Sequence, residues 1–444
     1  MNLLKLFTQA RPAPEAPVEP FELYAQAALE AASWVETRYD NHIEPLPGGT
    51  TMAGLDEPSS GQVPQHQPTL YISTPSEESA QQDQSYTKEQ LMESAELVPA
   101  AAQPDRSESG SLQLQDHVVP IADPLPYEGR VFKSSDDILY LVGGSNGAAS
   151  LYTEAGFRNN VDCTAWGRLL AHRRQAVTKT GSAFVQLIVP EKLSVYPLND
   201  TDLQWIFPGV DSNDIVPPGR RLLQEIDRQS ILYPEEFLRA QSKSFPVYMP
   251  TDSHWTWQGA FSAFQALMWE LGYTPSYEGF VYLPRRKLFY PGDLWEPSFT
   301  DIQPDHFVRL ALPASVRRVY ANSIVGFKEA NNLNDEPGLH VGSQCIFVNH
   351  AAEIRQTVVL FGSSFSECRV EPSLLTAIFC YFFETVHFVW TTSVDVDYVV
   401  RHKPDLTIAE MPERFLTICP DDSNRMEEIA ASKIQAWRRQ NPQA

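Results

Sequence analysis

Two short stretches hold residue types suited to covalent catalysis. The first is Thr251-Asp252-Ser253-His254-Trp255-Thr256. Asp252 and His254 sit two apart, which fits one tight turn leading into an apolar helix expected from Trp257. A carboxylate placed there holds the imidazole by one ring N–H and leaves the other nitrogen free as a general base. Thr256 suits the N-cap of that helix. The plain alternative is a turn capped by Asp252, with His254 on the surface. The second stretch is Val358-Val359-Leu360-Phe361-Gly362-Ser363-Ser364-Phe365-Ser366. Here an apolar strand runs into small polar residues, and a helix follows. Ligands of open α/β sheets collect at the carboxyl ends of the strands. A serine on such a turn is exposed, close to backbone N–H groups and open to activation as a nucleophile. The plain alternative is an ordinary Gly/Ser turn.

The elements that must position these stretches follow from periodicity. Strands are expected at 138–142 (ending in Gly-Gly-Ser-Asn-Gly), 184–189, 358–361, 386–390 and 406–409. Helices are expected at 165–180, 220–229, 257–271, from about 372, and at 426–439, where Arg and Lys near the end suit the helix dipole. Strands alternating with helices predict a three-layer α/β/α fold with a mostly parallel sheet. The apolar run Leu374–Thr392 contains Glu384 and His387, so it reads as buried helix and strand rather than a membrane span.

Composition bounds the rest. The chain has 444 residues, 43% hydrophobic and 20% charged, with 35 prolines against 22 glycines. A net charge of −22 argues against a nucleic-acid binder and against docking on an anionic membrane. Five scattered cysteines, with no CxxC pair, suggest neither a disulfide framework nor a zinc site. Residues 1–130 hold 20 acidic against 6 basic residues, and 41–120 are rich in Pro, Gln, Ser and Glu. Three regions are therefore expected: a mostly disordered acidic segment 1–125 with a short helix at 21–37, a domain at 126–420, and a C-terminal helix at 421–444. The acidic segment is a place for a protein partner. The opening MNLLKLFTQARPAPEAP lacks the apolar stretch of a signal peptide, which reads as cytoplasmic, with a periplasmic location as the alternative.

Taken together, DSHWTWQGA (252–260) and VVLFGSSFS (358–366) resemble the alginate O-acetyltransferase (AlgX/AlgJ) family of SGNH-hydrolase-like proteins. The stretches GRVFKSSDDILYLVGG (129–144), VPEKLSVYP (189–197), PGDL (291–294) and KPDLTIAEMPERFL (403–416) look similar to it as well, so the resemblance covers about 127–420. It implies an SGNH-like domain that moves an acetyl group from a donor to a carbohydrate hydroxyl, as in polysaccharide biosynthesis. Ser364 would be the nucleophile, His254 the base and Asp252 its orienting acid. No cofactor and no metal are expected. In typical SGNH hydrolases the serine comes first and the Asp-His pair last, and the reversed order here favours the transferase relatives. The same acyl-serine would serve a carbohydrate esterase, with water as acceptor. A silent carbohydrate-binding assembly protein is the alternative from another class. A backbone N–H at Ser364 or Phe365 is expected to hold the oxyanion, with Asn146 as a side-chain donor and Trp255 as a platform for a sugar ring.

Overall fold

The structure, a computed structural model, describes residues 129–442 apart from 145, 300, 303–305 and 369–370. The expectations placed on 1–125 lie outside the described residues. In chain order, β1 (Val131–Lys133) and β2 (Leu139–Leu141) form a small antiparallel ribbon. Helix α1 (Cys163–Thr178) precedes β3 (Ala183–Val189) and the two-residue β4 (Ile231–Leu232). Helix α2 (Trp257–Glu270) leads to the antiparallel pair β5 (Arg285–Phe289) and β6 (His306–Leu310). Then come β7 (Val316–Ala321), a helix at Ser323–Ala330, β8 (Gln344–Asn349), β9 (Ile354–Gly362), α3 (Leu374–Phe382), β10 (Phe383–Trp390), α4 (Val396–His402), β11 (Leu406–Pro412) and, after a short helical turn at Glu413–Thr417, α5 (Met426–Gln440).

Seven strands make the central sheet, in the order β4-β3-β11-β9-β10-β8-β7. The first five are parallel; β8 runs antiparallel to β10, and β7 at the edge runs antiparallel to β8. The side-chain period of two explains why both faces of the sheet are covered. In β9, Val358 and Leu360 enter one buried cluster, while Val359 and Phe361 enter another. In β3, Val185, Leu187 and Val189 join the first cluster, whereas Phe184 and Ile188 face away from it. Helices α2 and α3 cover the first face, where Phe264 stacks on Phe382 at 4.9 Å and meets Phe379 edge-on at 5.1 Å. Helix α2 is apolar around most of its surface, as a helix between a sheet and another helix must be.

The strands and helices expected within the described residues are present, with ends shifted by a few residues. The sequence reading did not anticipate β1, β4, β5, β6, β7 or β8. The run Leu374–Thr392 divides into α3 and β10, and among the described residues no helix is long and apolar enough to cross a membrane. Helix α5 is tied down rather than merely solvated: Trp437 meets Phe327 edge-on at 5.4 Å, and Ala430 is fully buried.

What matters for chemistry is where the parallel strands end. Gly362 pairs with Trp390, and Pro412 with Val189. The carboxyl ends of β3, β9 and β11 therefore lie together, and the loops that leave them share one edge of the sheet.

Candidate active site

The segment before α2 folds back on itself. Tyr248 bridges Trp255, Thr256 N–H donates to Val247 O at 2.9 Å, and Met249 N–H donates to His254 O at 3.2 Å. Asp252 lies at the tip. The side chain of Thr256 caps α2 by accepting from Gly259 N–H, as the sequence predicts. Gly259 is required there, because a Cβ would fall 2.0 Å from Val247 O. The loop after β5 closes on the tip from the other side. Gly292 adopts φ +87° with its Cβ position 2.1 Å from Thr251 O, so only glycine lets the two backbones meet. The next residue, Asp293, donates its N–H to Asp252 Oδ2 at 2.8 Å. Its carboxylate accepts from Ser253 N–H at 2.6 Å and Ser253 Oγ at 2.7 Å. Lys192 ties the same tip to β2 by donating to Pro250 O and Leu139 O.

Asp252, His254 and Ser364 form one hydrogen-bonded run. Asp252 Oδ1 lies 2.6 Å from His254 Nδ1 and also accepts His254 N–H at 2.7 Å. His254 Nε2 lies 2.7 Å from Ser364 Oγ. A carboxylate can only accept, so the neutral imidazole carries its proton on Nδ1 and presents a lone pair on Nε2 to the serine. Asp252 is buried, and the His254 side chain is 17% exposed. Burial opposes the charged form of both. For Asp252 the charge and hydrogen bonds of His254 override it and hold the carboxyl well below the usual range. For His254 the Asp252 carboxylate, helped by Asp293, overrides burial and a smaller opposing effect of Arg414, and the imidazole is pushed up to about 9.

The serine turn is built by its neighbours. Ser363 and Ser366 are buried and Ser364 is not. Glu410, on β11, accepts from Ser363 N–H (2.8 Å), Ser363 Oγ (2.8 Å) and Ser366 Oγ (2.6 Å). Phe365 N–H donates to Ser363 Oγ at 3.2 Å, so it is already used. Ser364 N–H makes no hydrogen bond to a described residue. Of the two backbone donors expected for an oxyanion, Ser364 is the uncommitted one. The Phe365 ring lies 4.7 Å from the His254 ring and 5.4 Å from the Arg414 guanidinium.

Two sequence expectations fare differently. Trp255 is fully buried, its Nε1 donating to Phe365 O at 3.0 Å and its ring edge-on to Phe365 at 5.2 Å. It is no platform for a sugar. Successive side chains of an extended segment point to opposite sides, so with His254 facing Ser364, Trp255 turns into the core. Asn146 lies just before the short helical turn Ala148–Tyr152, half-buried, and the structure shows no hydrogen bond from it to Ser364, His254 or Asp252.

The sequence reading missed the supports. Glu410, Glu413 and Arg414 all lie in the stretch 403–416 singled out above, with no role attached. Arg414 Nη1 donates to both oxygens of Glu191 (2.8 and 3.0 Å). Glu413 accepts from Glu191 N–H (2.7 Å), Gly219 N–H (3.0 Å), Tyr233 OH (2.7 Å), Tyr152 OH (3.2 Å) and Ser194 Oγ. Burial pushes its carboxyl up to about 7 against the pull of those donors. Asp252, His254 and Asp293 also offer ligand atoms within 4.8 Å of one another, the one such group of three or more among the described residues. In this structure Asp252 and His254 are instead joined to each other by the 2.6 Å hydrogen bond.

No family model matches the chain, and no curated protein matches it. Solved structures similar to it include a DHHW family protein from Eubacterium siraeum, at 12% identity and TM-score 0.44 over 61% of this chain and 89% of that one. Bacillus cereus PatB1 with a sulfonyl adduct gives 13% and 0.44 over 67% and 97%. The O-acetyltransferase domain of Pseudomonas putida AlgJ gives 16% and 0.40 over 69% and 99%. Likenesses this distant carry no argument about activity.

Proposed function

We propose that the chain is a serine-dependent O-acetyltransferase that moves an acetyl group to a carbohydrate hydroxyl. The observation that carries the reading is the run Ser364–His254–Asp252, with contacts of 2.7 and 2.6 Å at the carboxyl end of β9. The choice of acetyl as the acyl group and of a sugar as its acceptor rests on the stretches resembling the alginate O-acetyltransferases. In the first half-reaction Ser364 Oγ attacks the acetyl carbonyl and its proton passes to His254 Nε2. The donor's leaving group then departs with that proton, leaving an acetyl-serine ester. In the second, a sugar hydroxyl attacks the ester, its proton passes to Nε2, and Ser364 Oγ departs by taking the proton back. Asp252 holds the imidazole in the required tautomer and stabilises its cation in both. The Ser364 N–H is the oxyanion donor in this proposal, and the uncommitted Asn146 amide is its side-chain complement. A silent binding protein has no need of a serine hydroxyl 2.7 Å from an imidazole held by a buried carboxylate.

The test is incubation with p-nitrophenyl acetate, with and without an oligosaccharide, followed by mass spectrometry of the sugar. Acetylated sugar that disappears in Ser364→Ala supports the proposal. Acetate release with no acetylated sugar points to the esterase, with water as acceptor. No acetyl turnover in either arm overturns the reading.

A further inference from the structure

Three serines lie within four residues of one turn, yet one alone faces His254. The cause sits on another strand. Glu410 is fully buried and is brought beside the turn by the parallel pairing of β11 with β9, in which Ala409 lies opposite Phe361. The donors it gathers are neutral: one N–H and two hydroxyls. Among the described residues no Lys or Arg makes an ion pair with it. A buried carboxylate without a cation is costly, and it persists only where its hydrogen bonds are complete. Gly362 makes room for this arrangement. A Cβ there would fall 2.8 Å from Ser366 Cβ and 3.2 Å from Glu410 Oε2.

We infer that Glu410 is a positioning residue for the nucleophile: its carboxylate takes up the Ser363 and Ser366 hydroxyls and the Ser363 N–H, leaving Ser364 as the serine directed at His254. The inference rests on the reading of Ser364 as the nucleophile. A glutamine cannot replace the carboxylate without loss. Its single oxygen would serve Ser363 N–H and Ser366 from the Oε2 position. Its NH₂ would then face Ser363 Oγ, which already accepts from Phe365 N–H. The Ser363 proton would be left without an acceptor. The carboxylate is also close enough to His254 for their charges to interact. The imidazole is faced by Asp252 within its own turn, by Asp293 from the loop after β5 and by Arg414 from the helical turn that follows β11. Removing the Glu410 charge from this set lowers the pH at which the imidazole loses its proton, an effect that loosened packing alone would not produce.

The experiment is sulfonyl fluoride labelling of the full chain, with the modified residue located by mass spectrometry and the rate followed against pH. In Glu410→Gln the labelling of Ser364 should slow by about 10²-fold, the scale of a small misplacement of a reacting group, and its acid limb should move to lower pH. Ser366→Ala keeps the carboxylate and removes one donor. It should slow labelling several-fold without moving the limb, and it decides the matter if Glu410→Gln does not fold. Wild-type rate and limb in Glu410→Gln, or wild-type rate in Ser366→Ala where the glutamine variant is unfolded, overturns the inference alone. A wild-type chain unlabelled at Ser364 overturns the nucleophile reading and this inference with it.

Discussion

Replacing Asp252 by Asn separates the charge of the carboxylate from its shape. Asp252 accepts three donors: His254 Nδ1–H and His254 N–H on Oδ1, and Asp293 N–H on Oδ2. An asparagine has one acceptor oxygen. If that oxygen stays on the His254 side, its NH₂ confronts Asp293 N–H, and one buried donor is left unpaired at about 1–3 kcal/mol. If it turns to Asp293, the NH₂ donates to Nδ1, and the imidazole proton moves to Nε2. The base then faces Ser364 with a proton instead of a lone pair. The charge matters separately. Lifting His254 from 6.5 to about 9 corresponds to about 3 kcal/mol in favour of the imidazolium, or about 10²-fold in rate if the transition state uses all of it. With the tautomer loss, turnover should fall by about 10⁴-fold, the scale for this change in a Ser-His-Asp arrangement. The assay is p-nitrophenyl acetate hydrolysis against pH, with thermal unfolding as the control for folding. The residual activity should have an acid limb displaced to lower pH. An Asp252→Asn enzyme with unaltered rate and limb would remove Asp252 from the mechanism.

In the wild-type chain, turnover should rise with pH through a limb above 6.5 and towards 9, because the base must be neutral and its pKa is raised. The same shift makes a stability prediction: the His254–Asp252 pair contributes fully below about 6.5, and its contribution fades as pH rises through about 9, so melting temperature should fall over that window less in Asp252→Asn than in wild type. Gly362→Ala should destabilise the fold by about 1–3 kcal/mol and slow ester turnover, because its Cβ meets Ser366 and Glu410; unchanged melting and turnover would show that the turn relaxes freely.

Legibility differed by the range of the interaction. His254 and Asp252 are two residues apart, and their pairing within one turn is a local matter that spacing alone can suggest. Ser364 lies 110 residues on, and only the resemblance of both stretches to one family joined it to them. The supports had no such signal. Glu410 meets Ser363 across 47 residues and Asp293 meets Asp252 across 41, and nothing in either stretch says which carboxylate will be buried beside which turn. Glu410 reads as one more alternation in a strand until the register of β11 on β9 is known. Trp255 misled for the opposite reason. Its neighbour His254 suggested an exposed site, but the bridge to Tyr248 turns each successive side chain to the other side. The strand β7 was missed because it mixes Arg, Val and Tyr at a half-exposed sheet edge, where the apolar alternation is weak.

The most direct test of the central claim is to stop the reaction after the first half. The full chain is incubated with an acetyl ester and no sugar, quenched in acid and digested, and the peptide containing Gly362 to Ser366 is sequenced by mass spectrometry. The account predicts one acetyl group on Ser364, lost when an acceptor oligosaccharide is added before the quench and never formed in His254→Ala. An acetyl group on Ser363 or Ser366, or ester turnover with no acyl-serine at any time, would contradict it.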